Sequence, residues 1–170
     1  QAPKMLEVLG KRFGEYPFLR DKYWVAETPY LGMEHQTIVA YGADFEDNKF
    51  GFDSLLLHET AHEWWGNKIT AADWGDFWIH EGFGTYAEGV YLEHVQGREA
   101  ADRFFADKGR GLRRSQGSLY RGDHPDSGAA YTGLIYSKGA CVLDTLRHYC
   151  RVLLADGRAD GIVFFANSDR

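Results

Sequence analysis

The chain has 170 residues, 44% hydrophobic and 26% charged, a balance that can bury one sizeable core and excludes a disordered polypeptide. No apolar run approaches the ~18 residues that a bilayer-spanning helix needs, so no membrane segment is expected. With 19 basic against 25 acidic side chains the net charge is -6, which argues against a phosphate-neutralising surface and hence against nucleic acid as a partner.

No internal repeat, low-complexity tract or Pro/Ser-rich linker divides the chain, which reads as one domain or part of one. Met5, Leu9 and Phe13 recur at helical spacing and predict a short amphipathic helix, ended by Gly14 and Pro17. The runs YWVAE (23 to 27) and TIVAY (37 to 41) are rich in β-branched and aromatic residues and predict two strands around the turn-like TPYLG. The second strand is expected to offer an edge for an extended peptide. Asp53 or Ser54 can cap a helix running to about 66, and Thr70 or Asp73 a second one reaching about 97. Two more helices are predicted, over about 99 to 113 and 132 to 154. The fold class is therefore α+β, mostly helical, with a small sheet on the N-terminal side. Cys141 and Cys150 fall nine positions apart on the last helix, about 13 Å at ~1.5 Å per residue, so they cannot bridge and read as small core residues. Two unpaired cysteines suit a cytoplasmic or a periplasmic address, and no signal peptide is read in the chain.

The stretch LLLHETAHEWWGN carries the chemistry. On a helix His58 and His62 stand one turn apart on one face, the arrangement by which two imidazoles share a zinc ion. Glu59 is rotated out of line with them, so it can serve a metal-activated water as a base without ligating the metal. Glu81 follows His62 after 18 residues, within FWIHEGFGTYAE, and a returning helix can bring it to the same point as third ligand. Three protein ligands with one open position make a catalytic site, whereas structural zinc is usually closed by four. Three polar groups within one turn of an apolar run would be costly to bury without a metal. Glu88 lies two turns beyond Glu81 and can hydrogen-bond a ligand histidine. Trp64, Trp65, Trp74 and Trp78 flank both helices and are expected to pack between them, and the Arg121-Gly122-Asp123 tripeptide reads as turn chemistry.

These stretches resemble the zinc aminopeptidases of the aminopeptidase N and leukotriene hydrolase family, a branch of the gluzincins, whose signature is H-E-x-x-H, 18 residues, then E. Two further stretches match. YLGMEHQT resembles the family's Gly-x-Met-Glu-Asn exopeptidase motif and supplies Gly32, Met33 and Glu34, with Leu31 in place of the first Gly and His35 in place of the Asn. IYSKGACVLDTLR resembles the Tyr-x-Lys-Gly-Ala segment and puts Tyr136 where the family has its catalytic tyrosine.

The resemblance implies a thermolysin-like zinc peptidase catalytic domain, of which residues 1–170 are a part, with the family's flanking domains absent. It implies one zinc ion on His58, His62 and Glu81, Glu59 as general base, and Tyr136 as hydrogen-bond donor to the developing oxyanion. Gly32, Met33 and Glu34 would form the substrate subsite, Glu34 pairing with the α-ammonium of peptides that have a free amino terminus. The expected reaction is hydrolysis of the first peptide bond. Two alternatives are a gluzincin endopeptidase, which would need no group for the amine, and a non-catalytic relative serving as an interaction module. Side-chain specificity and oligomeric state are not legible at this level.

Overall fold

A computed structural model describes residues 1–155; the rest of the expected domain, 156–170, lies outside the described residues. Helix α1 (Ala2–Phe13) starts with Pro3 in its first turn, buries Met5, Val8 and Leu9, and stops at Gly14, whose φ of 93° suits a residue without a Cβ. Three short strands follow: β1 (Trp24–Glu27), β2 (Gly32–Met33) and β3 (Ile38–Tyr41). The sheet order is β1-β3-β2, with β1 parallel and β2 antiparallel to β3. This corrects the expectation that TIVAY is an edge. Strand β3 is central, and the edge nearer the motif Gly32-Met33-Glu34 belongs to the unforeseen strand β2. Val39, Ala40 and Tyr41 are accordingly buried, which is what their apolar character specifies for a strand covered on both sides.

Asp53 joins the sheet to the helices. Its carboxylate caps α2 (Ser54–Ala61) by accepting Leu56 N–H at 3.0 Å and also accepts the Tyr41 hydroxyl at 2.6 Å. The regular helix ends at Ala61 rather than near 66. After His62 the backbone tightens and then widens, with Asn67, Lys68 and Ile69 N–H bonding the carbonyls of His62, Glu63 and Trp64, and Gly66 adopting φ 144°. Asp73 caps a single 3-10 turn, Trp74–Asp76, while Thr70 caps nothing and donates to the Gly66 carbonyl.

Helix α3 (Trp78–Gln96) is buried continuously from His80 to Leu92, so it is the central helix of the fold. Around it pack α2, α4 (Arg98–Leu112) and α6 (Gly133–Ala155), with the short α5 (Ser127–Ala130), also unforeseen, leading into α6. The largest core cluster gathers Leu57, Ala61, Trp64, Tyr86, Val90, Leu92, Phe104 and Leu143. Arg147 of α6 holds Glu93 of α3 through two bonds of 2.7 and 3.0 Å, and Arg98 of α4 grips Asp144 through two of 3.1 Å. Trp64, Trp65 and Trp78 pack on the core as expected, but Trp74 is 43% exposed and meets Phe77 and Tyr131 at the surface. Cys141 and Cys150 are both free and only partly buried, not core residues: nine positions apart on α6, they stand on opposite sides of the helix, and neither is fully covered.

Candidate active site

The bend after His62 leaves that residue in αR conformation, so the one-turn relation to His58 is kept. Both imidazoles turn towards α3. Glu81 Oε2 lies 3.0 Å from His58 Nε2 and 3.5 Å from His62 Nε2, so one carboxylate oxygen is shared by two ring nitrogens. The far side of each ring is already tied: His58 Nδ1 donates to Glu88 Oε1 at 3.2 Å, and His62 Nδ1 donates to the Trp65 carbonyl at 2.9 Å. In the neutral imidazoles these bonds fix the tautomer, with both Nε2 lone pairs facing Glu81. Gly84 leaves room for the rings, since a Cβ there would lie 2.9 Å from His58 Cε1 and 3.1 Å from His62 Cε1.

The electrostatics match that geometry. Burial opposes a charge on His58, but the Glu81 and Glu88 carboxylates outweigh it and its pKa is pushed up to about 10. For Glu81 burial works against ionisation, yet the two histidines hold its carboxyl far below the usual range. A proton can bridge one pair of these atoms at a time. A divalent cation could satisfy all three lone pairs together, and the ligand atoms of His58, His62 and Glu81 lie within 4.8 Å of one another. The set fits such an ion.

Glu59 leaves α2 towards the same space, is 8% exposed, and has a buried Oε2 with no hydrogen-bond partner. Burial raises its pKa, against the opposing pull of His62 and His58. Above it runs β2, and Gly32 admits the carboxylate, for a Cβ at position 32 would stand 2.7 Å from Glu59 Oε1. Glu34 follows at the end of that strand, and its ligand atom lies within 4.8 Å of those of Glu59 and His62. Burial disfavours its charged form, but His80 and the charge of His62 outweigh burial and lower its pKa. From α6, Tyr136 lays its ring over His58 with centroids 5.8 Å apart and planes 25° from parallel. Its hydroxyl is pushed well above the usual tyrosine range, by burial first and by Glu81 second. One cavity of about 590 Å³ is lined by all nine residues singled out in the sequence: Gly32, Met33, Glu34, His58, Glu59, His62, Glu81, Glu88 and Tyr136.

Other residues of the site were not foreseen. Glu63, wholly buried behind His62, accepts Thr37 N–H at 2.7 Å and the Tyr16 hydroxyl at 3.2 Å, and so clamps the segment after Glu34 to the histidine-bearing segment. Its signal was a charged residue inside an apolar run. Lys108 sits 3.9 Å from Glu88 Oε2, and Tyr131 lines the cavity beside Glu34. His80 donates nothing through Nε2, which instead accepts Ala71 N–H at 3.0 Å.

Comparison with known proteins places this geometry. Residues 2–152 match the Peptidase family M1 domain. The chain is 32% identical over 127 residues to human endoplasmic reticulum aminopeptidase 1, an alignment that takes in 68% of this chain and 13% of that protein. It is 29% identical over 153 residues to rat aminopeptidase B, covering 81% of this chain and 23% of that one. Among solved structures, an M1 zinc metallopeptidase from Deinococcus radiodurans superposes with a TM-score of 0.73 at 29% identity, over 95% of this chain and 38% of that one. A mutant M1 zinc metallopeptidase from the same organism, bound to a Tyr-Ser-Ala substrate, gives 0.72 at 31%, over 86% and 32%. The chain thus spans less than a quarter of these curated relatives and about a third of these structures. With the family domain matched along nearly all the described residues, the chain belongs to peptidase family M1.

Proposed function

We propose that this chain is the metal-holding part of the catalytic domain of a zinc aminopeptidase whose remaining domains lie in a longer polypeptide. One zinc ion would be held by His58, His62 and Glu81. When bound, it supplies Lewis acidity, polarising the scissile carbonyl and making a water easier to deprotonate. Glu59 takes that proton and passes it to the leaving amine; its buried oxygen without a partner and its raised pKa suit a group that must both accept and give. Tyr136 keeps its hydroxyl proton at neutral pH and donates to the oxyanion. Glu88 orients His58.

The observation that carries the exopeptidase reading is the nearness of Glu34 to His62 and Glu59, within 4.8 Å. In a peptide the α-nitrogen is two bonds from its own carbonyl carbon, about 1.5 Å each. A carboxylate this close to the reacting centre can therefore pair with the ammonium only when the first peptide bond is the one presented. An endopeptidase would need the space that Glu34 fills with charge. The tripeptide bound to the mutant Deinococcus radiodurans relative supports peptides as substrates.

The test is turnover of a panel of aminoacyl amides by the full-length protein, with and without a chelator, beside the Glu59→Gln variant. Expected are activity abolished by the chelator and restored by zinc, and a Glu59→Gln protein that keeps its zinc but loses most turnover, since an amide is no base at neutral pH. Chelator-resistant activity, or full turnover in Glu59→Gln, would contradict the reading.

A further inference from the structure

His80 precedes a candidate metal ligand, yet neither cation-holding set among the described residues includes it. Its surroundings suit a different task. Ala71 N–H donates to Nε2 at 3.0 Å, which fixes a lone pair there and places the ring proton on Nδ1. Nδ1 is buried and has no hydrogen-bond partner, and it faces Glu34 Oε1 at 3.7 Å. An N–H···O bond forms at about 2.7 to 3.2 Å, so less than about 1 Å of carboxylate movement would complete it. Both side chains are nearly enclosed, 9% and 11% exposed, and the ring is held against Phe77 with centroids 4.5 Å apart. A fixed donor thus confronts a flexible acceptor.

We propose that His80 is the positioning residue of Glu34: Nδ1–H holds one carboxylate oxygen so that the other is directed at the substrate's α-ammonium, while Nε2 anchors the ring to the loop at Ala71. This rests on Glu34 being the amine anchor. Glutamate has three rotatable bonds, and freezing them as the substrate binds weakens affinity unless the protein has frozen them beforehand. The clamp of Thr37 by Glu63 fixes the backbone just after Glu34, and His80 fixes the side chain.

Two substitutions separate the two ring nitrogens. His80→Gln places an amide oxygen where Nε2 accepts Ala71 N–H but has no donor towards Glu34; His80→Asn places an amide nitrogen near Nδ1 and gives up the Ala71 bond. In the full-length protein, with aminoacyl amides as substrate, His80→Gln should raise KM about 10-fold with kcat and zinc content nearly unchanged, and His80→Asn should keep KM close to wild type. In a Glu34→Ala background His80→Gln should add nothing, because the group it positions is gone. The inference is overturned if His80→Gln leaves KM unchanged, lowers kcat and zinc content together, or adds its full effect to Glu34→Ala. It also fails if His80→Asn raises KM as much as His80→Gln does. A Glu34→Ala protein with normal KM overturns the anchor reading and this role with it, whereas a raised KM in Glu34→Ala beside a normal one in His80→Gln overturns the His80 role alone.

Discussion

Gly82 of α3 and Gly139 of α6 meet backbone to backbone: a Cβ at position 139 would lie 2.7 Å from the Cα of Gly82, and one at position 82 would lie 3.1 Å from the Cα of Gly139. This contact sets how close α6 comes to the central helix. Tyr136 stands one turn before Gly139, so the same contact sets how deeply its hydroxyl enters the cavity.

Gly139→Ala should therefore displace α6 at the position that matters for Tyr136. Overpacking of this kind typically destabilises by about 1 to 3 kcal/mol. Thermal melting should show a lower Tm, and kcat should fall while zinc content stays near wild type, since the proposed ligands come from α2, α3 and the bend between them. An unchanged kcat would mean that the crossing does not position Tyr136.

Zinc retention should depend on the bonds behind the ligands as well as on the ligands. His62→Ala removes a proposed ligand and should abolish near-stoichiometric uptake after dialysis against trace zinc. Glu88→Ala leaves His58 Nδ1 without its carboxylate, and competition with a chelator should show affinity weakened by about 10 to 100-fold. Equal uptake by His62→Ala and wild type would move the metal elsewhere.

The pair Glu93–Arg147 gives the fold a pH dependence of definite sign. Burial works against the Glu93 charge, but Arg147 outweighs it and the carboxyl titrates below its ordinary value of 4.5. A depressed pKa contributes stability that is present above 4.5 and lost as the pH falls through the folded-state value. Glu93→Gln strands the buried Arg147 and should cost about 3 kcal/mol at pH 7 in urea unfolding, with the gap to wild type closing as the pH falls through the folded-state value. A gap independent of pH would assign the loss to packing.

His58 and His62 were legible because helical geometry converts a four-residue spacing into a shared face, and Glu81 because an 18-residue separation lets a returning helix reach the same point. Glu88 was legible from helical spacing as well. The two longer strands of the sheet were legible from their β-branched and aromatic runs, but its order was not: β2 has only two residues, one of them Gly32, and so carries no strand propensity, which made TIVAY look like an edge when it is the centre. The end of α2 was misplaced because the widened turns after His62 are set by tertiary contacts such as Glu63 with Thr37, which no local pattern displays. His80 was invisible for a related reason. Its neighbours Ala71 and Glu34 come from a loop and a strand that only the folded chain brings beside α3.

The central claim is that Glu34 holds the free amino terminus beside the metal set, and the ratio of kcat/KM for a free peptide to that for its acetylated form tests it most directly. Glu34→Ala removes a charge-assisted partner that typically contributes about 1.5 to 3 kcal/mol, so kcat/KM for the free peptide should fall by about 10 to 100-fold in the full-length protein, with zinc content unchanged. The wild type should cleave the acetylated peptide poorly, and the variant should do no worse. Equal cleavage of both peptides by the wild type, or an equal loss on both in Glu34→Ala, would contradict the account and leave an endopeptidase in its place.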